Sequence, residues 1–103
     1  MIRVSIDPGT LMFRLDGHAG YAPEGQDIVC SAASMLTAAL FEYVMRIADE
    51  EELAECEMEP GHALLDVCPA RAEVMAQCKP VFCAIACGFG LLAERYPNNL
   101  IVD

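Results

Sequence analysis

A chain of 103 residues that is 55% apolar leaves too little length for two independent cores and too much apolar surface for disorder, so residues 1–103 read as one domain. Sixteen acidic against six basic side chains give a formal charge of −10, which disfavours direct nucleic-acid binding and suits a cationic partner, although solubility alone also accounts for it. The longest charge-free runs, Ile28 to Phe41 and Pro80 to Ala93, are 14 residues each and short of the roughly 20 of a membrane helix, so both read as buried core helices and no membrane association is expected.

Ile2, Val4 and Ile6 alternate with Arg3 and Ser5, and Leu11, Phe13 and Leu15 alternate with Met12, Arg14 and Asp16. This period of two on both sides of Asp7-Pro8-Gly9-Thr10 predicts a β-hairpin, with Pro8 supplying the fixed φ of the turn and Gly9 a positive φ beside it. Residues 18–27 hold two glycines, one proline and a candidate helix cap, Asp27, and read as a surface loop. From Ile28 to about Asp49, apolar residues including Val29, Ala32, Leu36, Leu40, Tyr43, Val44 and Ile47 recur at helical spacing, and the acidic run Asp49 to Glu52 is expected to leave the helix near solvent.

Leu53 to Glu59 and His62 to Cys68 flank Pro60-Gly61 and predict a second hairpin, with Ala63, Leu65 and Val67 on one face and a charged, peripheral first strand. Ala70 to Tyr96 returns to helical spacing, Pro80 predicts a kink or a new start, Pro97-Asn98-Asn99 stops the helix, and Leu100-Ile101-Val102 suits a last strand. The fold class is α+β in the order ββαββαβ, about five strands in a mostly antiparallel sheet with two helices. The six cysteines include no CxxC pair, and neither His18 nor His62 has a second histidine at ligand spacing. No metal and no cofactor are therefore expected, and most of the thiols read as reduced core residues. Cys78, Cys83 and Cys87 offer a weaker redox reading: Cys83 and Cys87, at i and i+4, share a face, but their spacing on a regular helix is near the upper limit for a disulfide.

Chemistry concentrates where the loop meets the first long helix. With Asp27 as the cap, Cys30 falls in the first turn, where unpaired N–H groups favour a thiolate over a thiol, and a ten-residue loop can fold His18 back beside it. Gly17-His18-Ala19-Gly20-Tyr21, then Gly25, then Asp27-Ile28-Val29-Cys30-Ser31-Ala32-Ala33-Ser34 closely resemble the signature of the ribosomal-processing cysteine proteases, the Prp family. The likeness extends to the opening strands, the middle hairpin, the second helix and Glu94-Arg95-Tyr96-Pro97, while Pro80 and the cysteine-rich segment around it depart from the expected pattern.

The resemblance implies a cytoplasmic, homodimeric endopeptidase that removes an N-terminal extension from a large-subunit ribosomal protein precursor. It makes His18 the general base and Cys30 the nucleophile, with Gly17, Asp27 and Ser34 on positions of the family motif. Read from the residues, Asp27 either caps the helix or orients His18, and Ser34 either meets substrate or bonds back to the Cys30 carbonyl. The Cys30 N–H is a candidate oxyanion donor, and Glu24 a candidate contact for a basic substrate peptide. A second reading is a non-catalytic adaptor that binds a basic ribosomal tail. The apolar surplus on so short a chain favours a homodimer.

Overall fold

Alternation becomes pleat in the computed structural model, which describes residues 1–103. Strands β1 (Ile2–Asp7) and β2 (Met12–Gly17) form the first hairpin, helix α1 (Ile28–Ile47) follows the loop, and β3 (Leu53–Glu59) and β4 (His62–Val67) form the second hairpin. Helix α2 (Ala72–Arg95) then leads to β5 (Leu100–Val102). The sheet order is β3-β4-β2-β1-β5, with three antiparallel pairings and one parallel pairing, β1 with β5. The expected α+β order and mostly antiparallel sheet are therefore present, with the charged strand β3 at one edge.

Register explains the core. Val4 pairs with Leu15, and Phe13 with Leu65, so the apolar positions of β1, β2 and β4 share one face. Both helices cover that face. The buried Phe13 ring meets Phe41 of α1 edge-on at 6.3 Å and Phe89 of α2 at 5.7 Å. Burying a ring of this size stabilises the fold by up to about 3 kcal/mol relative to leaving it in water. Helix α1 buries Val29, Ala33, Thr37, Leu40, Phe41 and Val44, a face rotated from the one expected, for Tyr43 lies outside and Thr37 and Phe41 inside.

Five expectations need correction. The positive φ of the first turn falls on Leu11 (56°) rather than Gly9, because the turn is longer than expected and Leu11 must point its buried side chain inward. Of the two outcomes expected at Pro80, the new start is not seen: α2 runs as one helix from Ala72 to Arg95, with Pro80 inside it. Pro80 is exposed, as is Ala76, whose carbonyl would otherwise accept from residue 80, so water can satisfy the freed group.

The acidic run after α1 does not simply end in solvent. Residues Glu50–Glu52 form a short 3-10 turn, and the Glu52 side chain is 1% exposed and held by Arg71. Only Cys78 among the six cysteines is buried, and burial pushes its thiol up; Cys30 is half-buried and the other four are exposed.

The two helices are also not buried all round. By length and composition each is long and apolar enough to cross a bilayer, because apolar windows extend past the charge-free runs. Each packs one face on the sheet and leaves apolar residues outside, among them Met35 at 69% exposure and Leu91 at 55%.

Candidate active site

The sequence Gln26-Asp27-Ile28 starts α1 because Asp27 is extended and its short carboxylate reaches the first free N–H groups. One carboxylate oxygen, Oδ1, accepts from the Cys30 N–H at 2.9 Å, while Oδ2 accepts from the Tyr21 and Ala22 N–H groups at 2.9 and 3.3 Å. These backbone donors, Cys30 foremost, hold the Asp27 carboxyl below the usual carboxylate range. Asp27 therefore fixes the helix start and the preceding loop together. It makes no hydrogen bond to His18, so of its two sequence readings the cap is the one seen. The same bond corrects another expectation: the Cys30 N–H is engaged by Asp27 and is not free to receive an oxyanion.

The Cys30 thiol faces the loop. Its Sγ accepts from the Ala19 N–H at 3.3 Å, an interaction that strengthens when negative charge develops on sulfur. Asn99, just before β5, reaches the other side of the same residue, donating from Nδ2 to the Ala19 carbonyl at 2.9 Å. The Tyr21 ring stands edge-on to Tyr96 at the end of α2, with centroids 5.4 Å apart. In the sequence Ala19 reads only as part of the family motif and Asn99 only as part of the Pro97-Asn98-Asn99 helix stop, and nothing there joins the two.

His18 is exposed at the start of the loop, immediately after Gly17. The Gly17 N–H donates to the Gly61 carbonyl at 2.8 Å, and Gly17 adopts a φ of +102°. A Cβ there would fall 2.2 Å from the Met1 carbonyl oxygen, so only glycine fits between β1 and the second hairpin. Gly61, in the Pro60-Gly61 turn, has a φ of +77°, and a Cβ on it would lie 2.6 Å from His18 Nε2. The ring thus rests against the turn of the second hairpin and is not hydrogen-bonded to Sγ. Replacing Gly61 with alanine is expected to displace the His18 ring, with a stability loss of about 1–2 kcal/mol from the left-handed backbone. The chemical shifts of the His18 ring and thermal melting check the two.

His18 and Cys30 line one cleft of about 640 Å³, a volume within the range of ligand sites, with Glu24, Ser34, Met58 and Glu59 also on its walls. Ser34 makes no bond back to the Cys30 carbonyl, whereas Ser31 Oγ does donate to the Asp27 carbonyl at 3.0 Å. The Ser34 hydroxyl is left open to the cleft. His62 also borders the cleft, but both its ring nitrogens are occupied, Nδ1 by Asp16 at 2.8 Å and Nε2 by Glu57 at 2.9 Å. Asp16 first, and then Glu57, raises its pKa. Of the two histidines, only His18 has ring nitrogens free for proton transfer.

Residues 1–101 match the family model described as cysteine protease Prp. The ribosomal processing cysteine protease Prp of Mycoplasma genitalium is 30% identical over 106 residues, covering all of this chain and 95% of that protein. The protein of the same name from Bacillus subtilis is 34% identical over 61 residues, covering 59% of this chain and 54% of its own. In fold, the chain is similar to a Prp crystal structure from S. aureus in complex with a covalently linked product peptide, with a TM-score of 0.80 at 21% identity. That match covers all of this chain and 98% of the other. SMU.848 from Streptococcus mutans gives a TM-score of 0.73 at 28% identity, covering all of this chain and 92% of the other.

Proposed function

The chain belongs to the Prp family of cysteine proteases, and from that premise we propose that it removes a basic N-terminal extension from a large-subunit ribosomal protein precursor, with Cys30 as nucleophile and His18 as general base. The observation that carries this reading is the pairing, on one cleft, of a first-turn cysteine whose sulfur meets an N–H donor with the one histidine whose nitrogens are free. His18 takes the Sγ proton, the sulfur attacks the scissile carbonyl, and the proton passes to the leaving amine as the C–N bond breaks. Water, deprotonated by His18, then cleaves the thioester and restores the thiol. Gly17 and Asp27 hold the loop that carries His18, and Ser34 is the polar wall group left for substrate.

The charge of −10, with Glu24 and Glu59 on the cleft wall, suits a cationic peptide. The uncovered edge of β3 suits an extended one. The deciding experiment incubates the protein with the organism's own full-length ribosomal precursor and measures product mass. A single cut that shortens the precursor at its N-terminus supports the reading; a precursor bound but left whole supports the adaptor instead.

We further assign the working form as a cytoplasmic homodimer of one-domain subunits. The dimer is supported by the uncovered apolar surface on the helices: only 23 of 103 residues are buried within the subunit, and Ile28, Met35, Met45 and Leu91 stand outside. The inner helix faces already carry the core, so a second subunit, rather than lipid, is the partner proposed for the outer ones. Met35→Glu is expected to shift the mass measured by light scattering from dimer to monomer. A wild-type protein that is monomeric at micromolar concentration would refute the assignment.

A further inference from the structure

We infer that Asn99 is a positioning residue for the reaction at Cys30, acting through Ala19 from the opposite end of the chain. This rests on the reading of Cys30 as the nucleophile. Ala19 is held from three sides: the residue is 2% exposed within the core, its N–H points at Sγ, and its carbonyl receives Asn99 Nδ2. The Cys30 N–H, the other donor near the sulfur, is already committed to Asp27. Ala19 therefore supplies the hydrogen bond that meets charge on Sγ, and Asn99 sets the angle from which it does so.

Asn99 is itself firmly placed. Its backbone N–H donates to the Tyr96 carbonyl at 3.0 Å, and its carbonyl accepts from the Ile2 N–H at 2.9 Å. The side chain is thus presented from the corner between α2, β1 and β5, across a sequence separation of 80 residues. The contact requires a donor. Aspartate has the same shape but would turn a negative oxygen towards the Ala19 carbonyl, and alanine would leave that carbonyl unpaired and the peptides on either side of Ala19 free to rotate.

The test compares Asn99→Ala and Asn99→Asp with wild type, using Asn98→Ala as an exposed neighbour control. Two rates are measured on protein shown by circular dichroism to be folded: cleavage of the precursor peptide, and alkylation of Cys30 by iodoacetamide, read by peptide mass mapping so that the other five thiols are separated. We expect kcat to fall roughly ten-fold in Asn99→Ala with KM nearly unchanged, below the order of 100-fold for removing a directly oriented donor. Cys30 alkylation should slow in parallel, Asn99→Asp should fall further, and Asn98→Ala should match wild type.

Lower melting temperatures with unchanged alkylation and kcat would overturn the inference, leaving Asn99 as a tie between chain ends. Should Asn99→Ala not fold, the isosteric Asn99→Asp carries the same comparison. If wild type fails to cleave the precursor, the protease reading fails. The alkylation rates still decide whether Asn99 governs the Cys30 sulfur.

Discussion

Cys30→Ala is expected to reduce precursor cleavage by about 10⁴-fold or more, because the groups of a nucleophile and base pair act as a unit and loss of one removes nearly the whole effect. The fold should survive. Asp27 caps α1 through the backbone N–H of residue 30, which alanine retains, and alanine is the most favourable helix former. Cys30 is half-buried and its sulfur accepts a single hydrogen bond, so little packing is lost. Melting temperature within a few degrees of wild type, together with product formation at the background rate, is the predicted pair of results. Full activity in the variant would remove Cys30 from the mechanism. His18→Ala should give a comparable loss, since His62 cannot stand in while Asp16 and Glu57 occupy its nitrogens.

Glu52→Gln should have the largest effect on stability. The Glu52 carboxylate accepts from Arg71 Nη2 at 2.7 Å and Nε at 3.2 Å, from the Asp49 N–H at 3.0 Å and from the Ala70 N–H at 2.9 Å. Arg71 Nη2 also donates to the Ile47 carbonyl at 3.0 Å, so one ion pair joins the end of α1, the start of β3 and the start of α2. Neutralising Glu52, itself 1% exposed, weakens all of these bonds at once, while Arg71, 39% exposed, keeps water, Asp49 and Glu73 as partners, so a melting temperature lower by roughly 5 °C or more is expected.

The pH dependence has a definite sign. Arg71 foremost, with the backbone donors, holds the Glu52 carboxyl at about 2 against an ordinary 4.5. A carboxyl lowered in the folded state contributes stability that is present above its unfolded value and lost as pH falls from about 4.5 towards 2. Wild type should therefore lose melting temperature more steeply than Glu52→Gln across that range. Parallel acid profiles in thermal melts would show that this carboxylate does not couple to folding.

Much of the architecture was legible because it is written in short periods. Alternation in Ile2 to Ile6 and in Ala63 to Val67 gives strands, helical spacing after Asp27 gives α1, and the turn at Pro60-Gly61 joins β3 to β4. Local reading failed where a residue's environment was supplied from elsewhere. Four glutamates and aspartates in a row look solvated until Arg71 arrives to bury one, and a proline in a helix looks disruptive until the exposed side of α2 receives it. The rotated face of α1 has the same origin, because the sheet that chooses which side to cover is built partly from strands that come after it.

The candidate site divides along the same line. From residue order alone came the loop with His18, the cap at Asp27, the first-turn position of Cys30 and the family to which these belong, since each depends on neighbours within a few positions or on a motif read in sequence. The tertiary structure alone decided that Asp27 engages the Cys30 N–H and two loop amides, that His18 rests on Gly61, and that Ala19 stands between Asn99 and the sulfur. The physical reason is range: a cap or a pleat is satisfied by bonds along the chain, whereas these contacts exist only once the second hairpin and the final strand close around the loop.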